Sequence, residues 1–419
     1  MQQFDVAVIG GGPAGIAAAL QARKIGASVA LFERNDQLGG ILRQCIHSGF
    51  GLQYFKEELT GPEYAQRFID QLENSGITIF LSSMVLGISA NHQVTAIQGD
   101  GLIQLQAKSL VLAMGCRERT RGEIRIPGAR ISGVYTAGQA QYYINIENQK
   151  PGKRFVILGS GDIGLIMARR LTLEGMEVEG VYELMPYANG LGRNIKNCLD
   201  DFNIPLHLST TVTRIIGKDR VEAVEVSNVD EALTPIDGTQ RIIPCDGLLL
   251  SIGLIPENEL SRAAGVQIDN RTGGPLVDAL LQTSFPGIFA CGNVLHVHDL
   301  VDNVTAEAQR AGQAAAEFAL NGAQSQDDLI KIQANPPIGY TMPMKISCNQ
   351  STTVFFRIRR PVANGRLTLS SNGSILFQGP ARSFKPSVME HQALPSKWLA
   401  EAGNTVTLEI LSDTEEIKP

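Results

Sequence analysis

The 419 residues are 43% apolar and 19% charged, which fits a folded globular chain of two or three domains and argues against disorder or a fibrous repeat. A formal net charge of −6 leaves no basic field to hold a polyanion, so no nucleic-acid partner is expected. The longest apolar runs, such as residues 247–256, fall well short of the roughly 20 that span a bilayer, and the first residues enter a strand pattern at once, so the expectation is a cytoplasmic protein with no transmembrane segment.

Phe4-Asp5-Val6-Ala7-Val8-Ile9 reads as a strand buried on both faces. It passes through Gly10-Gly11-Gly12-Pro13-Ala14-Gly15 into the helix-forming run 16–22, and a second strand, 28–32, ends at Glu33. From residue 151 the same grammar restarts. Strand 155–158 leads through Gly159-Ser160-Gly161-Asp162-Ile163-Gly164 into helix 165–171, and strand 178–182 ends at Glu183. The repeat period is 149 residues, a domain length rather than a solenoid repeat.

Each glycine loop follows a strand, opens a helix and precedes an acid that closes the next strand, which is the context a dinucleotide-binding loop requires. Gly10 permits the tight turn, Gly12 lets a pyrophosphate approach the backbone, and Gly15 lets helix and strand pack closely. The helix N-terminus offers N–H groups and a partial positive charge to the phosphates. Glu33, 23 residues after Gly10, is placed to accept from an adenosine ribose. Gly159, Gly161 and Gly164 repeat these roles, with Glu183 lying 24 residues after Gly159. A carboxylate there repels a 2′-phosphate, and no Arg follows in Leu184-Met185-Pro186, so the second nucleotide is expected to be NAD rather than NADP.

The six cysteines, at 45, 116, 198, 245, 291 and 348, are nowhere closer than 46 residues. No metal-ligand spacing and no CxxC follows from that pattern, so no metal is expected, and reduced thiols in a reducing compartment are the reading. Towards the C-terminus, short β-rich runs with Asn364-Gly365 and Asn372-Gly373 as hairpin turns suggest a small β-rich module after a linker near 333–337.

Further motifs are Gly39-Gly40-Ile41-Leu42-Arg43-Gln44-Cys45-Ile46-His47, Leu112-Ala113-Met114-Gly115, Leu250-Ser251-Ile252-Gly253, and residues 283–293 ending in Cys291-Gly292-Asn293. With these in order, the chain resembles the two-dinucleotide-binding-domain flavoproteins over about residues 4 to 325. The resemblance implies an α/β fold of two Rossmann-like domains: an FAD domain split into 1–118 and 284–325, an NAD domain inserted at 119–283, and the β-rich module at 335–419. It implies FAD against Gly10, Gly12, Pro13, Ala14, Gly15, Glu33 and Arg34. Gly40, Leu42, Arg43, Val85, Ala113, Met114 and Gly115 are implied beside the same cofactor, with Gly292, Asn293, Val304 and Thr305 completing it. NAD is implied against Gly159, Gly161, Asp162, Ile163, Gly164, Glu183 and Gly253. The chain departs from the family twice. Asn293 stands where Asp is usual, and Phe50 stands where the second cysteine of a redox disulfide would be, so disulfide reduction is not expected.

Residues 43–51, residues 292–302 and the β-rich tail bring the chain closer to the FAD-containing subunits of opine oxidase, hydrogen cyanide synthase and dye-linked proline dehydrogenase. It looks most like the version found beside glycerol-3-phosphate dehydrogenase-like flavoproteins. That likeness implies hydride exchange between NAD(H) and FAD, a partner dehydrogenase flavoprotein, and a small iron–sulfur or cysteine-containing protein. The alternatives are a free-standing NADH oxidase or NADH:acceptor reductase, and a non-catalytic flavin-bearing scaffold. Flavin and nicotinamide carry the reaction themselves, so no protein acid, base or nucleophile is required. His47 is either near the flavin or structural. His296, His298, Asp299 and Asp302 are metal ligands, or a loop past the flavin into a helix starting near Thr305, or a plain hydrogen-bonded loop. Arg117, Arg119, Arg121, Arg125 and Arg130 form a connector, or guide NADH phosphates, or dock an acidic partner.

Overall fold

The structure, a computed structural model, describes residues 1–322, 329–400 and 402–412. The chain divides into two compact units. One comprises Met1–Arg43, Ser48–Cys116 and Pro256–Pro419; the other comprises Gln44–His47 and Arg117–Ile255.

In the first unit, strand Gln2–Ile9 ends in four buried residues, as the apolar run requires. It pairs in parallel with Val29–Phe32 on one side and Gly101–Leu112 on the other. Thr78–Phe80 extends the sheet beyond Val29–Phe32, and Ile288–Ala290 joins the end of Gly101–Leu112. Gln93–Gln98 and Ser83–Ile88 add an antiparallel flank, giving seven strands. Helix Pro13–Ile25 buries its alanines, and helix Val301–Asn321 packs against it. The two backbones come so close that a Cβ at Gly312 would meet the Ala18 carbonyl oxygen at 2.2 Å. This second helix begins at Val301, four residues before the expected Thr305.

Two expected boundaries move. Residues 256–283 belong with the first unit rather than with the second nucleotide domain. The Asn258 amide donates to the carbonyls of Gly273 and Val294, and Val277 and Leu281 are buried in the first unit's core. The β-rich module begins at strand Leu329–Ala334, which takes in the first two residues of the linker expected near 333–337, because that strand pairs with Lys345–Ser347 and Thr405–Ser412. Residues 323–325 and 413–419, parts of the expected segments 284–325 and 335–419, lie outside the described residues.

The module's six-stranded sheet is joined by a three-stranded one made of Ile338–Met342, Thr352–Ile358 and Glu390–Leu394. Asn372-Gly373 makes the expected tight turn, with φ of 50° and 82°. Asn364-Gly365 does not turn. It runs within strand Val362–Ser371, where a Cβ at Gly365 would meet Ile410 Cγ2 at 2.5 Å, so this glycine serves close strand packing. Met342 and Met344 sit in the core of the first unit.

The second unit carries a five-stranded parallel sheet in the order Val134–Thr136, Gly247–Leu250, Arg154–Leu158, Glu177–Tyr182, Leu206–His207. Helix Asp162–Leu173 covers it, and strands Thr210–Gly217, Val221–Asn228 and Arg241–Pro244 form a separate antiparallel sheet. Gln44 explains why residues 44–47 belong here. Its amide donates to the Gly138 carbonyl and Gln141 Oε1, and its carbonyl accepts from Asn145. Among the described residues no helix is long and apolar enough to cross a membrane.

Candidate functional site: two carboxylate-braced glycine loops

The first loop turns where strand Gln2–Ile9 ends. Gly10 adopts φ 108°, and its N–H donates to the Phe32 carbonyl. A Cβ there would meet the Ala113 carbonyl oxygen at 2.4 Å, and one at Gly15 would meet the Gly10 oxygen at 1.7 Å. Gly12 is different. It caps helix Pro13–Ile25 at an ordinary φ of −79°, and a Cβ on it would touch only Gly40 Cα, at 3.9 Å. Space is therefore open in front of Gly12, beside the uncapped N–H groups of the helix, which is the cradle that a pyrophosphate fits. Pro13, at N1, removes one donor that had no helical partner.

Glu33 is buried and braced on both oxygens: Gly11 N–H donates to Oε2 and Asn35 N–H to Oε1, each at 2.8 Å. Arg34 is exposed, Leu42 and Val85 are buried, and Arg43 is half-buried. Gly40 crosses over Gly12, and the neighbouring Gly39 N–H donates to the Gly11 carbonyl. Ala113 N–H donates to the Ile9 carbonyl; Met114 and Gly115, the latter at φ 75°, continue that turn.

The second loop repeats this construction bond for bond. Gly159, at φ 94°, donates to the Tyr182 carbonyl, and Ser251 N–H donates to Leu158, as Ala113 does to Ile9. Gly161 caps helix Asp162–Leu173. Glu183 is braced by Ser160 N–H at 2.9 Å and Ser160 Oγ at 2.6 Å on one oxygen, and by Met185 N–H at 2.9 Å on the other. Gly164 N–H donates to Ser251 Oγ, and Gly253 accepts from Arg119 N–H. Asp162 turns to Leu191 N–H and the Asn194 amide, while Ile163 is half-buried behind it. A cleft of about 730 Å³ opens over this loop, lined by Gly159, Gly161, Glu183, Met185, Arg119 and Arg125. Arg121 instead ties down its own turn through the carbonyls of Ile126, Gly128 and Ala129.

The region after Cys291 holds a buried network. Gly292 N–H donates to Glu307 Oε1 at 2.7 Å, and Asn293 Oδ1 accepts from His298 N–H at 3.0 Å. His296 and His298 approach the two Glu307 oxygens through Nε2, at 2.9 and 3.2 Å. Burial, with His298 next to it, pushes the His296 pKa down. Burial alone would raise the Glu307 carboxyl, but the two imidazoles hold it far below the ordinary glutamate range. These three side chains present ligand atoms close enough to share an ion. The four residues singled out from the sequence do not converge. Asp299 pairs with Arg357, and Asp302 accepts the N–H groups of Gly51, Gln53 and Tyr54. Val304 is buried beside Gly292, and Thr305, also expected against FAD, has its hydroxyl on Tyr64 at 2.7 Å, inside the core. His47 is half-buried in the second unit.

Sequence reasoning missed Asn35 and Glu307, and quoted Gly11, Ser160 and Ser251 only as motif members with no bonding role. Glu307 had a readable signal, a single acid on the alanine face of a helix, where an unanswered charge is costly. None of the six cysteines is in a disulfide, and burial pushes the Cys45 thiol up to about 12.

A pyridine nucleotide-disulphide oxidoreductase profile matches residues 4–317. Hydrogen cyanide synthase subunit HcnB of Pseudomonas protegens is 28% identical over 68% of this chain and 65% of its own length. An opine oxidase subunit of Agrobacterium tumefaciens is 26% identical over 69% of this chain and 61% of its own. The chain thus spans about six tenths of these relatives. A crystal structure of T. acidophilum thioredoxin reductase superposes with a TM-score of 0.64 at 24% identity, over 77% of this chain and all of that one, which establishes the fold. The chain belongs to the pyridine nucleotide-disulphide oxidoreductase family.

Proposed function

We propose that the first loop holds FAD, that the second holds NAD(H), and that the protein passes reducing equivalents between NAD(H) and a partner flavoprotein as a subunit of a glycerol-3-phosphate dehydrogenase-like complex. The observation that carries the nucleotide assignment is the duplicated brace. Glu33 and Glu183 each sit buried at the mouth of a glycine loop, with both oxygens fixed by backbone N–H donors. When bound, the two cofactors supply hydride chemistry at flavin N5 and nicotinamide C4. The chain's own residues bind and orient. Helix N-termini meet the pyrophosphates, the braced carboxylates accept from ribose hydroxyls, and Arg119 and Arg125 add positive charge to the second cleft. Glu183 offers a 2′-phosphate repulsion, and the residues that follow it, Leu184 and Met185, are apolar rather than cationic, which favours NAD(H). Membership of a complex is supported by two relatives whose names describe them as subunits of larger enzymes. A small iron–sulfur or cysteine-containing partner belongs to the same proposal. A reducing, cytoplasmic setting is supported by six cysteines outside any disulfide.

Anaerobic stopped-flow tests the reading: NADH should reduce the bound flavin of the purified protein. No flavin reduction by either nicotinamide would favour a scaffold, and fast multiple turnover with oxygen would favour a free-standing oxidase over a member of a complex.

A further inference from the structure

We propose that the C-terminal β-rich module is a positioning element for the flavin site, acting through His296, His298 and Glu307 on the Gly292–Asn293 turn. The inference rests on the placement of FAD in the first unit. The turn abuts the first glycine loop's helix, since a Cβ at Gly292 would meet Ala14 Cβ at 2.8 Å. Its two polar handles are held from behind: Gly292 N–H by Glu307, and the Asn293 amide oxygen by the His298 backbone. Glu307 is fixed in turn by both imidazoles.

The module grips the segment that carries those imidazoles. Arg357 Nη2 donates to Asp299 Oδ1 at 2.6 Å and reaches the Val297 carbonyl at 3.4 Å, while Met389 N–H donates to Asp299 Oδ2 at 2.6 Å. Tyr340 OH lies 3.5 Å from His296 Nδ1, and the Phe355 ring faces both imidazoles. A chain of bonds therefore runs from module strands, through the half-buried Arg357–Asp299 pair, to the flavin-side turn. Glu307, whose carboxyl the imidazoles hold below the ordinary glutamate range, accepts from Nε2–H of both rings, so a carboxylate charge sits in a poorly screened place. Nδ1 of His298 is buried and has no hydrogen-bond partner among the described residues.

A reduced flavin carries more negative charge than an oxidised one, so a carboxylate held behind a turn that would border the flavin would disfavour its reduction. Photoreduction of the purified FAD-bound protein against a reference dye reads the flavin potential, and visible circular dichroism reads the asymmetry around its ring. Glu307→Gln should raise the two-electron potential by about 30 mV, a tenfold change in the equilibrium. Arg357→Gln, made in the module, should keep FAD, move the potential by less and change the dichroism. Tyr340→Phe should move the dichroism alone. If folded, FAD-bound Arg357→Gln and Tyr340→Phe both reproduce the wild-type potential and dichroism, the proposal fails, even where Glu307→Gln does not fold. One equivalent of divalent metal in the wild type, lost in Glu307→Gln, would also overturn it, because the cluster would then be a ligand set. The FAD placement itself fails separately, through a Gly12→Val protein that retains full flavin.

Discussion

The two glycine loops are built alike at the backbone and differently at the surface that covers them. In both, the second strand accepts the first glycine's N–H, the carboxylate after that strand is braced on both oxygens, and the next parallel strand ends against the turn. Over the first loop lies another glycine turn, Gly39-Gly40, with backbone facing backbone. Beside the second stand hydroxyls and a carboxylate. Ser160 Oγ links Glu183 to Asn189 N–H, Ser251 Oγ receives Gly164 N–H, and Asp162 holds Leu191 and Asn194. A groove walled by backbone cannot be retuned by single side chains and suits a cofactor that stays. One bordered by side-chain hydrogen bonds can loosen and re-form, which suits a nucleotide that must enter and leave.

Substitution of the middle glycine gives the largest contrast between the loops. Gly12 has room and an ordinary φ, so Gly12→Val should fold yet lose FAD, because its methyl groups occupy the pyrophosphate cradle. Gly161→Val should stay yellow, with dithionite still reducing its flavin, while NADH no longer does so efficiently. Gly15→Ala serves as the contrasting control. Its Cβ falls 1.7 Å from the Gly10 oxygen, so it should cost about 3 kcal/mol or more in chemical denaturation and not merely empty the site. Reversed cofactor losses in the two valine variants would exchange the assignments of the loops.

A tenfold effect should follow from Glu183. Wild-type flavin reduction is expected to favour NADH over NADPH by at least about 1.4 kcal/mol. Glu183→Gln removes the charge and should narrow that preference, chiefly through better NADPH binding. Equal rates with the two nucleotides in the wild type would sink the role given to this carboxylate.

How much of this could be read from sequence depends on the range of the interaction. Gly10, Gly12, Gly15 and Glu33 were legible because strand, turn, helix and acid succeed one another within about one βαβ unit, where spacing alone fixes geometry. The duplicate at 159–183 was legible for the same reason. The boundary near residue 283 was not, because Asn258 reaches the carbonyl of Val294, 36 residues away. The hydroxyl partner of Thr305 could not be read either, because Tyr64 lies 241 residues earlier. The histidine pair looked like a possible site with Asp299 and Asp302, yet its partner is Glu307, one turn further into a helix whose start had been placed too late. Asn364-Gly365 shows the same limit at short range. Its turn chemistry was overruled by the strand Thr405–Ser412 packing against it.

A smaller effect should appear in the pH dependence of stability, and it separates the surroundings of the two loops again. His296 has a lowered pKa because it is buried, with His298 beside it; Glu307, Tyr340 and Arg357 also face it. The unfolded chain therefore binds a proton that the folded chain refuses. Stability should be flat above about pH 6.5 and fall as the pH drops below it. His207, in the second unit, is also lowered by burial and by Arg241, and acts in the same direction. Comparing melting temperatures of wild type and His296→Gln between pH 7.5 and about pH 5.5 isolates the first unit's share. The variant should lose less on acidification than the wild type; parallel curves would show that His296 is not held neutral.

The smallest expected effect is at Cys45, and it asks whether anything besides the two cofactors must relay electrons. The family's name includes disulphides, so a thiol in the Gly39–His47 motif could be such a relay. Its burial works against that role. Burial pushes its pKa up to about 12, so at neutral pH almost none of it is the thiolate that disulfide exchange needs. Its sulfur lies 3.9 Å from Gln141 Oε1, a neutral amide rather than a cation that would stabilise the thiolate. Phe50 stands where a redox partner cysteine would be. Cys45→Ser should therefore keep FAD and reduce it with NADH at a rate within a fewfold of the wild type. Loss of NADH-driven reduction with FAD still bound would mean that Cys45 is required for flavin reduction and that the case against a redox disulfide was misread.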